Sequence, residues 1–310
     1  MAKQSGIGGR LLCGGYDISG DISAIDTIHC GTAMLDDTDI TQSAHSRLPT
    51  LRDGSMSVTA FFDLTNAHPV LSALPTADEL MTALLPPLSL GSAAACCNAK
   101  QIDYPPSRAA DAALLMKVEG QGNGYATEWG WQLTPGVRTD TAATNGLSLD
   151  YGSGFSAPSV PASGTPVTNT SPLPASVVIT GGTVSNVVVN AVSVGTGDGT
   201  YTVPAAQSIT LTYSAAPTWA WTLQTAYGAQ AYLQVTAFTG TSVTITVQQA
   251  PDNSTWTTLA AFTAVTAAPA TQRLAVTGSV GRYLRVISAG TFTNAAFCVV
   301  VNRNYAPANF

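Results

Sequence analysis

From Leu223 to the end of the chain, six stretches repeat one design: "AYLQVTAF", "TSVTITVQQ", "WTTLAAFT", "TQRLAVTG", "RYLRVISA" and "AAFCVVVNRNY". Polar and apolar side chains largely take turns in each, and Gly, Pro, Asn, Asp or Thr separate them. Side chains alternate across a strand, so this two-residue period predicts strands with one face buried. In "YLRVISA", Leu284, Val286 and Ser288 are expected to point inward, and Tyr283, Arg285 and Ile287 outward. Six short strands at regular spacing are the signature of a sandwich or jelly roll.

The same punctuation divides the rest of the 310 residues. Residues 1–150 form a first β-rich unit with strands expected at "DISAIDTI", "SMSVTAFF", "AKQIDY", "AALLMKVEG" and "ATEWGWQLT". One stretch in it favours helix, "NAHPVLSALPTADELMTALLPP", with Pro69 near a helix start and Thr76 with Glu79 at capping-box spacing. Its Leu80–Leu85 part reads equally as an edge strand. Residues 151–176, rich in Gly, Ser and Pro, are expected to be an extended linker. Residues 177–222 form a small β segment in which Ile209, Leu211 and Tyr213 share a face, too short to hold an independent core and expected to pack on a neighbour. Residues 223–310 are then a C-terminal sandwich.

Charge separates the remaining classes. Asp, Glu, Lys and Arg make up 10% of the chain, against roughly 25% in ordinary soluble domains. Between Arg138 and Arg273 there is no Lys or Arg at all. A Thr/Ser/Ala surface of this kind suits faces that meet other protein, because a free monomer keeps surface charge for solubility. Clustered Lys and Arg that would hold nucleic acid by its phosphates are missing. The N-terminus "MAKQSGIGGR" lacks the apolar region of a signal peptide, and no run reaches membrane-spanning length. Five scattered cysteines without CxxC spacing fit apolar packing in a reducing cytoplasm.

No constellation points to catalysis, and the chain is read as not an enzyme, without cofactor or metal. His29, His45 and His68 are far apart in sequence and read as surface or half-buried side chains rather than metal ligands. Asp36, Asp37 and Asp39, near Asp17, Asp21 and Asp26, lack the spacing and terminal Glu of an EF-hand and read as turn and strand-edge residues. There is no G-x-S-x-G elbow, "GIGGR" neither follows a strand nor opens a helix, and no acid/base pair stands out. Trp129 with Trp131 and Trp219 with Trp221 would each share one strand face. Core or interface anchoring is the plain reading of these tryptophans and of Trp256. The alternative is a sugar-stacking platform, for which Trp256, Asp252 and Asn253 in "PDNSTWTTL" are the glycan-contact candidates.

The order of features in the first 150 residues resembles the major tail tube proteins of long-tailed bacteriophages. The resemblance rests on "GYDISGDISAID", then "LDDTDITQSAHSRLPTLRDGSMSVTAFFD", then "HPVLSALP", and later "QGNGYATEWGWQLTPGVRTDTAATNG", short motifs spanning about half the chain. It implies a mainly β chain: a tail-tube-like sandwich or barrel with one short helix, followed by an Ig-like or jelly-roll region of the kind that decorates some tubes. It implies a virion structural protein, made in the host cytoplasm, whose copies close into rings, commonly of six. Stacked rings would form the tube through which DNA passes. Tape-measure, tail-tip or terminator proteins would be partners, and a host surface glycan a further one for the decoration. A head-decoration or adaptor role is the nearest competitor.

Within this resemblance "RLPTLRDGSMSVTAFFD" is read as a joint. Asp53-Gly54 is expected to turn the chain into a strand from Ser55 to Asp63. Met56, Val58, Ala60 and Phe62 would face the core, and Phe61 the opposite face or a neighbouring subunit. Arg47 and Arg52 are candidates for ion pairs with Asp36, Asp37 and Asp39 of another copy.

Overall fold

The computed structural model describes residues 7–41, 43–72, 77–108, 113–152, 156–171, 173–223 and 226–304. Over these the chain is mainly β, with 22 strands and one five-residue helix. The first part supplies β1 (Arg10–Cys13), β2 (Tyr16–Asp17), β3 (Ile22–Asp36), β4 (Arg47–Phe61), α1 (Ala67–Leu71), β5 (Glu79–Leu84), β6 (Ala93–Asp103), β7 (Pro106–Arg108), β8 (Leu114–Gly122), β9 (Glu128–Gln132), β10 (Arg138–Asp140) and β11 (Thr144–Asp150). Then come β12 (Pro166–Thr168), β13 (Ala175–Thr180), β14 (Thr183–Val189), β15 (Val192–Gly195), β16 (Gly199–Val203), β17 (Ser208–Ala215) and β18 (Thr218–Leu223). The last part holds β19 (Ala226–Ala250), β20 (Thr257–Ala261), β21 (Ala270–Val280) and β22 (Tyr283–Asn304).

Strand pairing redraws the expected domains. β1–β11 and β19–β22 share one 15-stranded sheet with the spine β2-β1-β5-β6-β9-β22-β19-β20. β22 pairs with β9 at Val301–Trp131, with β10 at Phe297–Arg138 and with β11 at Leu284–Leu149. Residues from 226 on therefore complete the body begun by β1–β11 and do not form a separate sandwich. Alternation tells which face a residue presents but not which strand lies beside it. Here the Val299 N–H donates to Thr134 Oγ1 across 165 residues, a distance that leaves no local trace.

The inserted part, β12–β18, is a two-layer sandwich: β12-β17-β14-β15 over β16-β13-β18. Val177, Ile179, Val187, Ile209, Leu211 and Trp221 fill it. An immunoglobulin-type sandwich pairs its first strand with its second and its last with its sixth; here the last strand pairs with the second and the first with the sixth. The expected linker 151–176 already contains β12 and the start of β13, and Leu173 within it packs into the core of the body beside Tyr151. Asn169 holds this corner, its amide donating to Leu173 O and Val203 O at 2.8 and 3.0 Å. Being fully buried, it is a structural amide.

In "YLRVISA", Leu284, Val286 and Ser288 are indeed buried between less buried neighbours. The expected capped helix is different. Thr76 lies outside the described residues, and Glu79 opens β5, an interior strand between β1 and β6. Met81 and Ala83 face one core and Leu80 and Leu84 another. With both faces covered, a strand becomes a continuous apolar run that periodicity cannot tell from a helix. The helix itself is α1, where Asp21 Oδ2 accepts from Ala67 N and Asn66 Nδ2 at 3.1 and 2.9 Å.

Candidate assembly interface

The stretch from Arg47 to Asp63 forms the returning arm of a long hairpin. β4 runs unbroken from Arg47 to Phe61, so Asp53-Gly54 is not a turn but the middle of the strand, opposite Gly31 and Cys30 of β3. Met56, Val58 and Ala60 are fully buried, while Phe61 on the other face is half exposed. Phe62 lies past the strand end and packs its ring on His68 at 4.7 Å. On β3 the apolar residues Ile22, Ile25 and Ile28 come every third position. Register shifts after Ile22 and Ile25 each insert a residue, which returns every third side chain to the core face.

Gly54 marks where the hairpin leaves the body. A Cβ on it would lie 2.1 Å from Thr127 N and 3.0 Å from Ala126 C, so β4 crosses directly on the backbone leading into β9. Inside this crossing β4 pairs with both β3 and β8, from Ser55–Gln121 to Phe61–Leu115. Outside it, Arg47–Gly54 pairs with β3 alone among the described strands. Met34, Leu35, Leu48 and Leu51 are all more than half exposed there. An apolar two-stranded ribbon with open edges is a template for pairing with another chain.

The tip is acidic. Asp36 and Asp39 each accept from the backbone and hydroxyl of the residue two places on, Thr38 and Thr41. These bonds to the ionised form hold both carboxyls below the usual aspartate value. His45 Nδ1 lies 3.0 Å from Asp36 Oδ2, and Asp37 N donates to Ser46 O. Arg47 stands across the ladder from Asp36 of its own chain.

Arg52 belongs elsewhere. It borders a cavity of about 480 Å³ at the hairpin root, also lined by Leu51, Tyr125, Glu128, Gln230, Arg273 and Asn304. Glu128 lies almost fully buried at its floor and accepts from the Tyr232 hydroxyl. Burial, and then the Glu128 charge, push that phenol well above its usual range. Arg52 and Arg273 approach Glu128 at 3.7 and 4.0 Å. The Arg273 guanidinium also lies 3.6 Å from the centre of the Tyr125 ring. The residues Glu128, Tyr232, Arg273 and Asn304 carry no motif. Glu128 could have been singled out as one of three glutamates in the chain, placed where "TEWGWQ" alternates and aimed at the buried face.

The glycan candidates form a tight turn. Asp252 accepts from Ser254 N, Thr255 N and Thr255 Oγ1, which drives its carboxyl far below the usual aspartate value. Asn253 takes a left-handed φ of 60°. Trp256 carries the Arg285 guanidinium 4.2 Å above its ring, so that face is covered. Trp219 and Trp221 meet edge to face at 5.4 Å within the inserted sandwich. Trp129 and Trp131 share the exposed face of β9, which is paired with β6 and β22 on its two edges. Among the described residues, no group of three or more His, Cys, Asp or Glu is placed to hold a metal ion. Among the same residues, no helix is long and apolar enough to cross a membrane.

A scan against protein-family models finds no match to this chain, and a search of curated proteins finds no relative.

Proposed function

We propose that this chain is a self-assembling structural subunit, and specifically a tail tube protein of a long-tailed bacteriophage. One observation carries the assembly reading: the outer half of the β3–β4 hairpin projects from the body with Met34, Leu35, Leu48 and Leu51 uncovered and its strand edges open. Such a ribbon is an aggregation hazard in a monomer and a joint in an ordered assembly. A stretch without Lys or Arg from Thr139 to Gln272 fits surfaces that meet protein. The specific tube reading draws on the motifs "GYDISGDISAID" and "RLPTLRDGSMSVTAFFD", the second of which builds this hairpin. In that reading copies close head to tail into rings, commonly of six, and the rings stack around a channel for DNA. Tape-measure, tail-tip or terminator proteins are then its partners and the virion tail its place. The inserted sandwich would be the outward decoration.

Purified protein should form rings or tubes in negative-stain microscopy, with sedimentation showing mass that grows with concentration. A chain that stays monomeric at every concentration overturns the assembly reading. Assemblies of another shape overturn the tube and leave the joint.

A further inference from the structure

We infer that the cavity at the hairpin root is a carboxylate-binding site, and that its occupant is the Asp36–Asp39 turn at the hairpin tip of a second copy. This rests on the assembly reading above and names the partner of its joint.

The cavity is built for an anion. An arginine offers five N–H donors in a fixed fork. Arg273 is mostly buried, yet its polar approaches are loose: 3.4 Å from Nε to the Tyr232 hydroxyl and 4.0 Å to Glu128. Arg52 reaches Glu128 at only 3.7 Å and stays largely exposed at the mouth. The buried Nδ2 of Asn304, which lines the same cavity, meets no acceptor. Buried donors left without partners are costly and rare. Two guanidinium groups against one carboxylate leave a formal charge of one positive. An entering carboxylate gains charge-assisted hydrogen bonds from Arg52 and Arg273 at the mouth and wall of the cavity.

The tip is the matching surface. Asp36, Asp37 and Asp39 form the densest acidic run in the chain. Their turn is already ordered by the bonds from Thr38, Thr41 and Asp37 to carboxylate and carbonyl oxygens, so docking freezes little further motion. A copy cannot fill its own cavity. Arg47, at the tip, and Arg52, at the mouth, lie on one continuous strand, about 17 Å apart at roughly 3.4 Å per residue. Each copy thus offers one tip and one cavity at different places, which is the definition of a heterologous, chain-forming contact.

The test uses two full-length variants. Asp36→Asn/Asp37→Asn/Asp39→Asn removes the tip charge, and Asn keeps the turn because its side chain makes the same Asx bonds. Arg52→Glu reverses the mouth on an exposed strand residue. Arg52→Gln, read in the same way, replaces it if the circular dichroism spectrum departs from the wild type. Sedimentation velocity should show each variant alone needing at least about tenfold more protein than the wild type to associate, a weakening of about 1.4 kcal/mol. Mixing the two should restore association through one junction type, because one variant keeps its cavity and the other its tip. The inference falls alone if the wild type assembles and either variant assembles equally well, or if the mixture stays as dissociated as its parts. A monomeric wild type removes the assembly reading and this inference together.

Discussion

Two long strand pairs dominate the molecule, and they are used in opposite ways. β19 and β22, of 25 and 22 residues, are paired along almost their whole length and flanked by further strands: β21 and β20 beside β19, β9, β10 and β11 beside β22. β3 and β4, of 15 residues each, are covered by β8 only from Ser55 inward. The packed pair also has a tight spot midway along its ladder, where register shifts and two glycines fall. At Gly240 and Gly290, with φ of +155° and +135°, a Cβ would meet Phe292 Cα at 2.4 Å and Ser242 O at 2.3 Å, so only glycine lets the strands cross there. The lesson is that a β ribbon of this length is finished by whatever lies beside it. Where the chain supplies the neighbours, the ribbon becomes core. Where it does not, the ribbon is left for another molecule.

The sharpest way to break this contrast is a matched pair of leucines. Leu233 of β19 is fully buried in the core of the body, and Leu51 of β4 is 83% exposed. Leu233→Ala should cost about 3 kcal/mol of stability, the usual sum of lost transfer energy and residual cavity. Leu51→Ala should stay within about 0.5 kcal/mol in the same denaturant titration while weakening self-association in sedimentation. Equal losses of stability would mean that the arm is covered within the monomer.

The crossing that separates covered from uncovered ribbon is the second target. Gly54→Ala places a methyl group against the Ala126–Thr127 backbone, and overpacking of this kind should cost about 2 kcal/mol. A variant as stable as the wild type would show that β4 does not bear on that backbone and that the arm hinges freely.

Strand identity was legible in the sequence wherever one face is more open: Met56, Val58 and Ala60, or Leu284, Val286 and Ser288, alternate with polar or less buried neighbours. It stayed open between helix and edge strand at β5, an interior strand whose faces are both buried so that the two-residue period vanishes. Pairing was not legible, because β22 finds β9 and β11 across the whole inserted sandwich. At the site, the candidates Arg47, Arg52, Asp36, Asp37 and Asp39 all lie on one hairpin, although the sequence reads as a turn at Asp53-Gly54 followed by a strand. The cavity that receives Arg52 was hidden, since Glu128, Gln230, Arg273 and Asn304 come from four distant strands and meet only when the sheet closes.

The smallest expected effect separates a carboxylate bound to the packed pair from those at the tip of the open hairpin. At the head of β22, Arg282 holds Asp150 through Nε and Nη2 at 2.7 and 2.8 Å, joining β11 to the packed pair where the inserted sandwich departs. Burial opposes ionisation of Asp150, but the bonds from Arg282 and Gly152 outweigh it and hold the carboxyl below the ordinary 3.8. A lowered folded-state value means stability that is fully present above pH 3.8 and lost as pH falls through the depressed value. Asp150→Asn should therefore cost about 1 kcal/mol at neutral pH and lose less than the wild type on acidification below 3.8. Asp36 and Asp39 are depressed too, yet their partners are local turn groups on a fully exposed tip, so Asp36→Asn should leave the neutral-pH thermal midpoint unmoved at a protein concentration too low for association. Thermal unfolding at neutral and acid pH reads both. A midpoint that follows Asp36 and ignores Asp150 would reverse the assignment of which ribbon holds the monomer together.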